Sequence, residues 1–147
     1  MPHTLHAHQS TRTIDEARAN LSLDVTRIVK TIAFGLRDGR LVLAALRGTL
    51  RVDYAKLAAA LGVNRRDVAA LAPAEVLARL GVEPGSVSPL PLPFYGGAMI
   101  HVDEDVLGIT PTLYCGFGRP DRTLEIAPAD LLVISGARPG AFSRAAV

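Results

Sequence analysis

The chain has 147 residues, 49% hydrophobic and 20% charged, a balance that favours one soluble domain with its own core. A net charge of +2, an aromatic share of 5% and no Trp argue against a stacking platform for single-stranded nucleic acid and against a dedicated basic stripe. The single cysteine, Cys115, excludes an internal disulfide and a multi-cysteine metal site, and the polar, His-rich residues 1–13 lack the apolar core of a signal peptide, so a reducing, cytosolic setting is expected.

In chain order, residues 3–8 suit a short strand on which His6 and His8 share a face. Two histidines fall short of the three or four ligands of a zinc site, so an exposed edge is the plainer reading and no metal is expected. Thr13 followed by Glu16 is a capping box that predicts a short helix to about Asn20. Residues 27–36 and 41–46 are rich in Val, Ile and Leu, and Asp38-Gly39 between them predicts a hairpin. Asp53 caps a helix whose stripe is Tyr54, Leu57, Ala58 and Leu61 and which Gly62 stops. Pro73 suits the first turn of another helix, ended by Gly81.

Residues 98–103 alternate as a strand, and 111–116 with 122–126 read as a second hairpin across Gly118-Arg119-Pro120-Asp121. Pro128 opens a last helix to about Ser135, and residues 138–147 are expected to be a loose tail. No run of about 18 apolar residues marks a membrane span. Paired strands with interspersed helices define the class as α+β with a mixed sheet.

Residues 81–89, Gly-Val-Glu-Pro-Gly-Ser-Val-Ser-Pro, have a restricted shape, few bulky side chains and several backbone N–H groups that could face an oxyanion. Lys30 is out of place: alternation puts it on one face with Ile28, Ile32 and Phe34. It is either an ammonium that snorkels past the sheet edge or one that waits at a cleft wall for a phosphate or carboxylate. His101 and Asp103 share a strand face and could move a proton, although residues two apart point in parallel and Asp103 could cap the following turn. Cys115 reads as a buried cysteine more readily than as a nucleophile. Ser86 and Ser88 have no nucleophile-elbow context, and Gly116-Phe117-Gly118 is too short for a dinucleotide fingerprint.

Four segments in order resemble the YbaK-like aminoacyl-tRNA deacylases, relatives of the editing domain inserted in bacterial prolyl-tRNA synthetases. They are Val29-Lys30-Thr31-Ile32-Ala33-Phe34, the run from Asp53 through Lys56-Leu57 to Leu61-Gly62, the Gly-x-x-x-Pro loop Gly85-Ser86-Val87-Ser88-Pro89, and a closing part. That closing part holds Asp103, Gly116 to Arg119, Leu124-Glu125-Ile126 and Asp130-Leu131, so the resemblance spans about residues 10–135.

The resemblance implies a curled, barrel-like mixed β-sheet flanked by helices, and a single editing domain over residues 1–147. It implies hydrolysis of the ester joining a wrong amino acid to the 3′ acceptor end of a tRNA, usually the proline tRNA, with no cofactor, no metal and no protein nucleophile. Lys30 is then expected to help hold the terminal nucleotide, and Gly85, Ser86, Val87, Ser88 and Pro89 to line the aminoacyl pocket through their backbone. Thr31, Phe34, His101, Asp103, Cys115, Gly116 and Gly118 are the expected surrounding contacts. Members carry a further helix ahead of the first strand, whereas this chain starts almost at that strand, which implies a more open site or a late start. Cys115 sits near where some cysteinyl-deacylating members have a small hydroxyl residue, a departure that leaves the amino-acid preference open; the expected substrates are tRNAs mischarged with a small residue, Ala, Ser, Thr or Cys. The alternatives are a non-catalytic module that grips a tRNA acceptor end or docks on prolyl-tRNA synthetase, and a small-molecule ester hydrolase using Cys115.

Overall fold

The structure is a computed structural model that describes residues 2–7 and 24–146. The helix expected from Thr13 and Glu16, and His8 with it, lie outside the described residues. The N-terminal strand is β1 (His3–Ala7), an edge strand antiparallel to the last hairpin strand. The apolar runs around Asp38-Gly39 form β2 (Ile28–Leu36) and β3 (Leu41–Arg47), paired from Val29↔Arg47 to Gly35↔Leu41. Their turn requires Gly39 at φ +94°, a region that disfavours side chains.

Two three-residue strands that the sequence does not mark, β4 (Leu50–Val52) and β5 (Val68–Ala70), lie on either side of α1 (Tyr54–Leu61). Asp53 caps α1 by accepting the Lys56 N–H at 3.0 Å, and Gly62 ends it at φ +71°. Next come α2 (Pro73–Leu80), β6 (Met99–Asp103), the hairpin β7 (Leu113–Gly116) and β8 (Arg122–Ile126), and α3 (Pro128–Ser135), close to the expected boundaries.

The loose tail expected from Arg138 is not what forms. Residues beyond α3 make β9 (Arg138–Gly140), parallel to β6, and β10 (Ser143–Ala145), antiparallel to β4. Asp103, at the end of β6, is the physical reason. It is 1% exposed and accepts the Phe142 N–H at 2.8 Å, the Ser143 N–H at 3.2 Å and the Ser143 hydroxyl at 2.6 Å. Phe142 is thereby fully buried in one cluster with Leu57 and Ala58 of α1.

The sheet runs β1-β8-β7-β2-β3-β6-β9, with β5 also on β2. The β2–β7, β3–β6 and β6–β9 pairs are parallel and the rest antiparallel, so the class is α+β with a mixed sheet and helices packed on it. Alternation along β2 divides the molecule in two. Val29, Thr31 and Ala33 share a face with Ala45 and Leu43 of β3, and Val82, Val87, Leu90 and Tyr95 cover it. Lys30, Ile32 and Phe34 share the other face with Leu46, Ala44 and Val42, and α1 and Phe142 cover that one. β7 pairs with β2 only at Ile28 and Val29, and β5 joins the same edge only at Phe34 to Leu36. Between them, from Lys30 to Ile32, a notch is left in which no strand among the described residues pairs with that edge, and at its end the Leu71 N–H donates to Ala33 O at 2.9 Å.

Candidate active site

The 81–89 loop is a 3-10 turn, Pro84–Ser86, that runs into a buried stretch and packs against β2. Its local chemistry differs from the expectation of several backbone N–H groups facing a ligand. The Ser86 N–H donates to Glu83 O at 2.9 Å, the Val87 N–H to Pro84 O at 3.4 Å, and the Ser88 N–H to the Tyr95 hydroxyl oxygen at 2.8 Å. Pro84 opens the turn in which the Ser86 and Val87 amides close short rings, while the Ser88 amide is held by Tyr95. The loop meets β7 with its carbonyls: Ser86 O accepts the Gly118 N–H at 2.9 Å. A Cβ on Gly116 would stand 2.8 Å from Val87 O, so Gly116 answers a close backbone approach.

Two side chains on this side of the sheet are left without partners. Ser86 is 1% exposed and Thr31 7%, and neither hydroxyl oxygen has a hydrogen-bond partner. A buried hydroxyl in that state costs about 1–3 kcal/mol, yet can both donate to and accept from a ligand. The other such atom among the described residues, Asp67 Oδ1, lies 3.8 Å from the Arg37 guanidinium. Thr31, the loop, Gly116 and Gly118 are therefore the expected site residues that the fold brings together.

Others are placed elsewhere. Lys30 points to the opposite face from the loop, where its ammonium donates to Leu50 O at 2.5 Å and Gly48 O at 3.3 Å. Burial and the nearby Arg51 hold its pKa below the ordinary value of 10.5. Phe34 is 1% exposed, meets the Tyr54 ring edge-on at 5.7 Å and lines a cavity on the α1 face, on the opposite side of β2 from the loop. Asp103 is occupied by Phe142 and Ser143, as described above. His101 lines a separate cavity of about 500 Å³ with Arg40 and Arg138, and burial followed by Arg138 lowers its pKa from 6.5. Cys115 is buried in the core, and desolvation pushes its thiol up to about 12. It stays protonated at neutral pH, which removes it as a nucleophile.

One group of residues was not anticipated. A cavity of about 500 Å³ on the α1 face is lined by Lys30, Arg51, Asp53, Tyr54, Arg65 and Arg144 among others. It depends on β4 and β10 lying side by side, and neither strand carries a sequence signal of its own. Among the described residues no three His, Cys, Asp or Glu side chains gather as a metal site would require, and no helix is long and apolar enough to cross a membrane.

The loop that Gly116 seats and the unpartnered Thr31 and Ser86 hydroxyls lie on one side of the mixed sheet. Residues 8–134 match the model of the aminoacyl-tRNA editing domain, and the chain belongs to that family. Its fold is also that of solved structures. It is 28% identical to "hypothetical protein APE2540", with a TM-score of 0.87 over 98% of this chain and 93% of that one. It is 27% identical to "a putative trans-editing enzyme for prolyl tRNA synthetase", with a TM-score of 0.79 over 97% and 87%. A longer protein from Marinobacter aquaeolei VT8, described as "a Putative signal transduction protein", shares the fold alone, at 16% identity and a TM-score of 0.67 over 96% of this chain and 27% of that one.

Proposed function

We propose that the chain is a trans-editing deacylase, acting as one domain in the cytosol on tRNA carrying a wrong small amino acid. Proline tRNA charged with Ala, Ser, Thr or Cys is the first substrate to consider, because a structural relative is named for trans-editing with prolyl tRNA synthetase. The observation that carries this reading is the pair of unpartnered buried hydroxyls, Thr31 and Ser86, in a chain of the editing family.

In the reaction, a water oxygen adds to the ester carbonyl carbon and the carbonyl electron pair moves onto oxygen. The bond to the ribose oxygen then breaks, releasing the amino acid and a free tRNA hydroxyl. Donors set in place before the reaction stabilise charge developing on that carbonyl oxygen. With the Ser86, Val87 and Ser88 amides already engaged, the hydroxyls of Thr31 and Ser86 take that role, and the loop's backbone shapes the wall around the aminoacyl group. An ester leaves readily, so positioning and one or two donors are sufficient help. Lys30 borders the same notch from the other side of β2 and is assigned to the terminal nucleotide.

Deacylation of proline tRNA charged separately with Ala, Ser, Thr, Cys and Pro tests this. Release well above the spontaneous rate for at least one wrong amino acid, sparing the prolyl species and falling in Lys30→Ala, is the expected result. Binding of charged tRNA without any release would contradict it and leave a non-catalytic acceptor-end module.

A further inference from the structure

Arg51 and Arg144 are direct cross-strand partners in the β4–β10 pair. Like charges placed opposite each other on paired strands repel and destabilise the pair. Neither forms an ion pair with a described residue; the arginines that do are Arg27, Arg37, Arg40, Arg47, Arg119 and Arg122. Both line the α1-face cavity together with Arg65, whose guanidinium lies 4.5 Å over the Tyr54 ring. That contact holds Arg65 at the cavity without neutralising it. The lone carboxylate among the lining residues, Asp53, accepts the Lys56 N–H at the start of α1. Lys30 adds a fourth positive charge, but its donors are directed at Gly48 O and Leu50 O. A concave surface with this excess of cations is suited to a compact anion, and the guanidinium fork matches phosphate oxygens.

We propose that this cavity is a phosphate-binding site in which Arg51, Arg65 and Arg144 supply the donors. It uses none of the loop residues assigned to ester cleavage and shares only Lys30 with the proposed deacylase site, so a test that reads phosphate binding is separate from one that reads ester hydrolysis. The phosphate can belong to a free polyphosphate compound or to an RNA backbone.

Calorimetric titration of the full chain with inorganic pyrophosphate, and with a single-stranded RNA hexamer, distinguishes the two. The wild type is expected to bind pyrophosphate saturably, with affinity at least tenfold lower in Arg51→Gln and in Arg144→Gln. Competition by the hexamer, lost at high salt, would assign the RNA backbone; pyrophosphate binding that the hexamer leaves untouched would assign a free phosphate compound. A thermal unfolding scan shows that each variant is folded, and relief of the repulsion is expected to leave its midpoint at or above the wild-type value. No saturable binding of pyrophosphate or hexamer, or an affinity that neither substitution changes, would overturn the proposal.

Discussion

Lys30 and Thr31 are neighbours in the chain and border the same notch, yet they face different surroundings. Thr31 is buried on the loop side of the sheet, where the unengaged side-chain polar atoms are neutral hydroxyls. Lys30 looks onto the α1 face, where cations outnumber the lone carboxylate of the cavity. Neutral hydroxyls act at hydrogen-bond range and discriminate by geometry, whereas exposed guanidinium groups attract anions over roughly a Debye length, about 8–10 Å at physiological salt. One strand thus separates a part suited to aligning a reacting group from a part suited to holding charge, and damage to the loop face should spare phosphate binding on the other.

The largest effect should come from Asp103→Ala. The Phe142 and Ser143 amides would lose their acceptor, and urea unfolding should show a loss of about 2–4 kcal/mol. The damage should fall on β10 and the arginine cavity, and deacylation should fall only as far as Lys30, which lines that cavity, is disturbed. A change within about 0.5 kcal/mol would mean that Asp103 does not hold the C-terminal strands. Gly116→Ala tests the opposite face. Its Cβ meets Val87 O at 2.8 Å and must displace the loop, at a cost of about 1–3 kcal/mol. Deacylation should drop at least tenfold while pyrophosphate binding stays unchanged; equal damage to both activities would erase the division between the faces.

The smallest effect is pH-dependent. Burial and Arg138 lower the His101 pKa below 6.5, so the unfolded chain takes up a proton more readily than the folded one. Stability should therefore decline as pH falls below 6.5, and His101→Gln should remove that part of the decline. Identical acid slopes for the two proteins would show that His101 does not contribute.

The parts of the fold legible in the sequence are those with local causes. Asp38-Gly39 dictates a turn, Asp53 and Gly62 delimit α1, and Pro73 and Gly81 delimit α2, each through chemistry within a few residues. β4, β5, β9 and β10 were not legible, because three residues such as Arg138-Pro139-Gly140 become a strand only when a partner strand is already there. The same limit applies to the candidate site. Alternation correctly set Lys30 with Ile32 and Phe34, but nothing local to β2 says which face the 85–89 loop will cover. The glycines and prolines of the loop revealed its tightness; that the Ser88 amide is engaged is not legible locally, because its partner Tyr95 returns from seven residues further on. Thr31 and Ser86 stand out only once burial and missing partners are known.

Single-turnover deacylation of mischarged proline tRNA by Thr31→Val and Ser86→Ala, with urea unfolding of the same preparations, tests the central claim most directly. Each substitution removes a buried hydroxyl that has no partner, so stability should be unchanged or higher. The rate should fall at least tenfold in each, about 1.4 kcal/mol of transition-state stabilisation. Variants that hydrolyse as fast as the wild type at undiminished stability would contradict the assignment of these hydroxyls to the reaction.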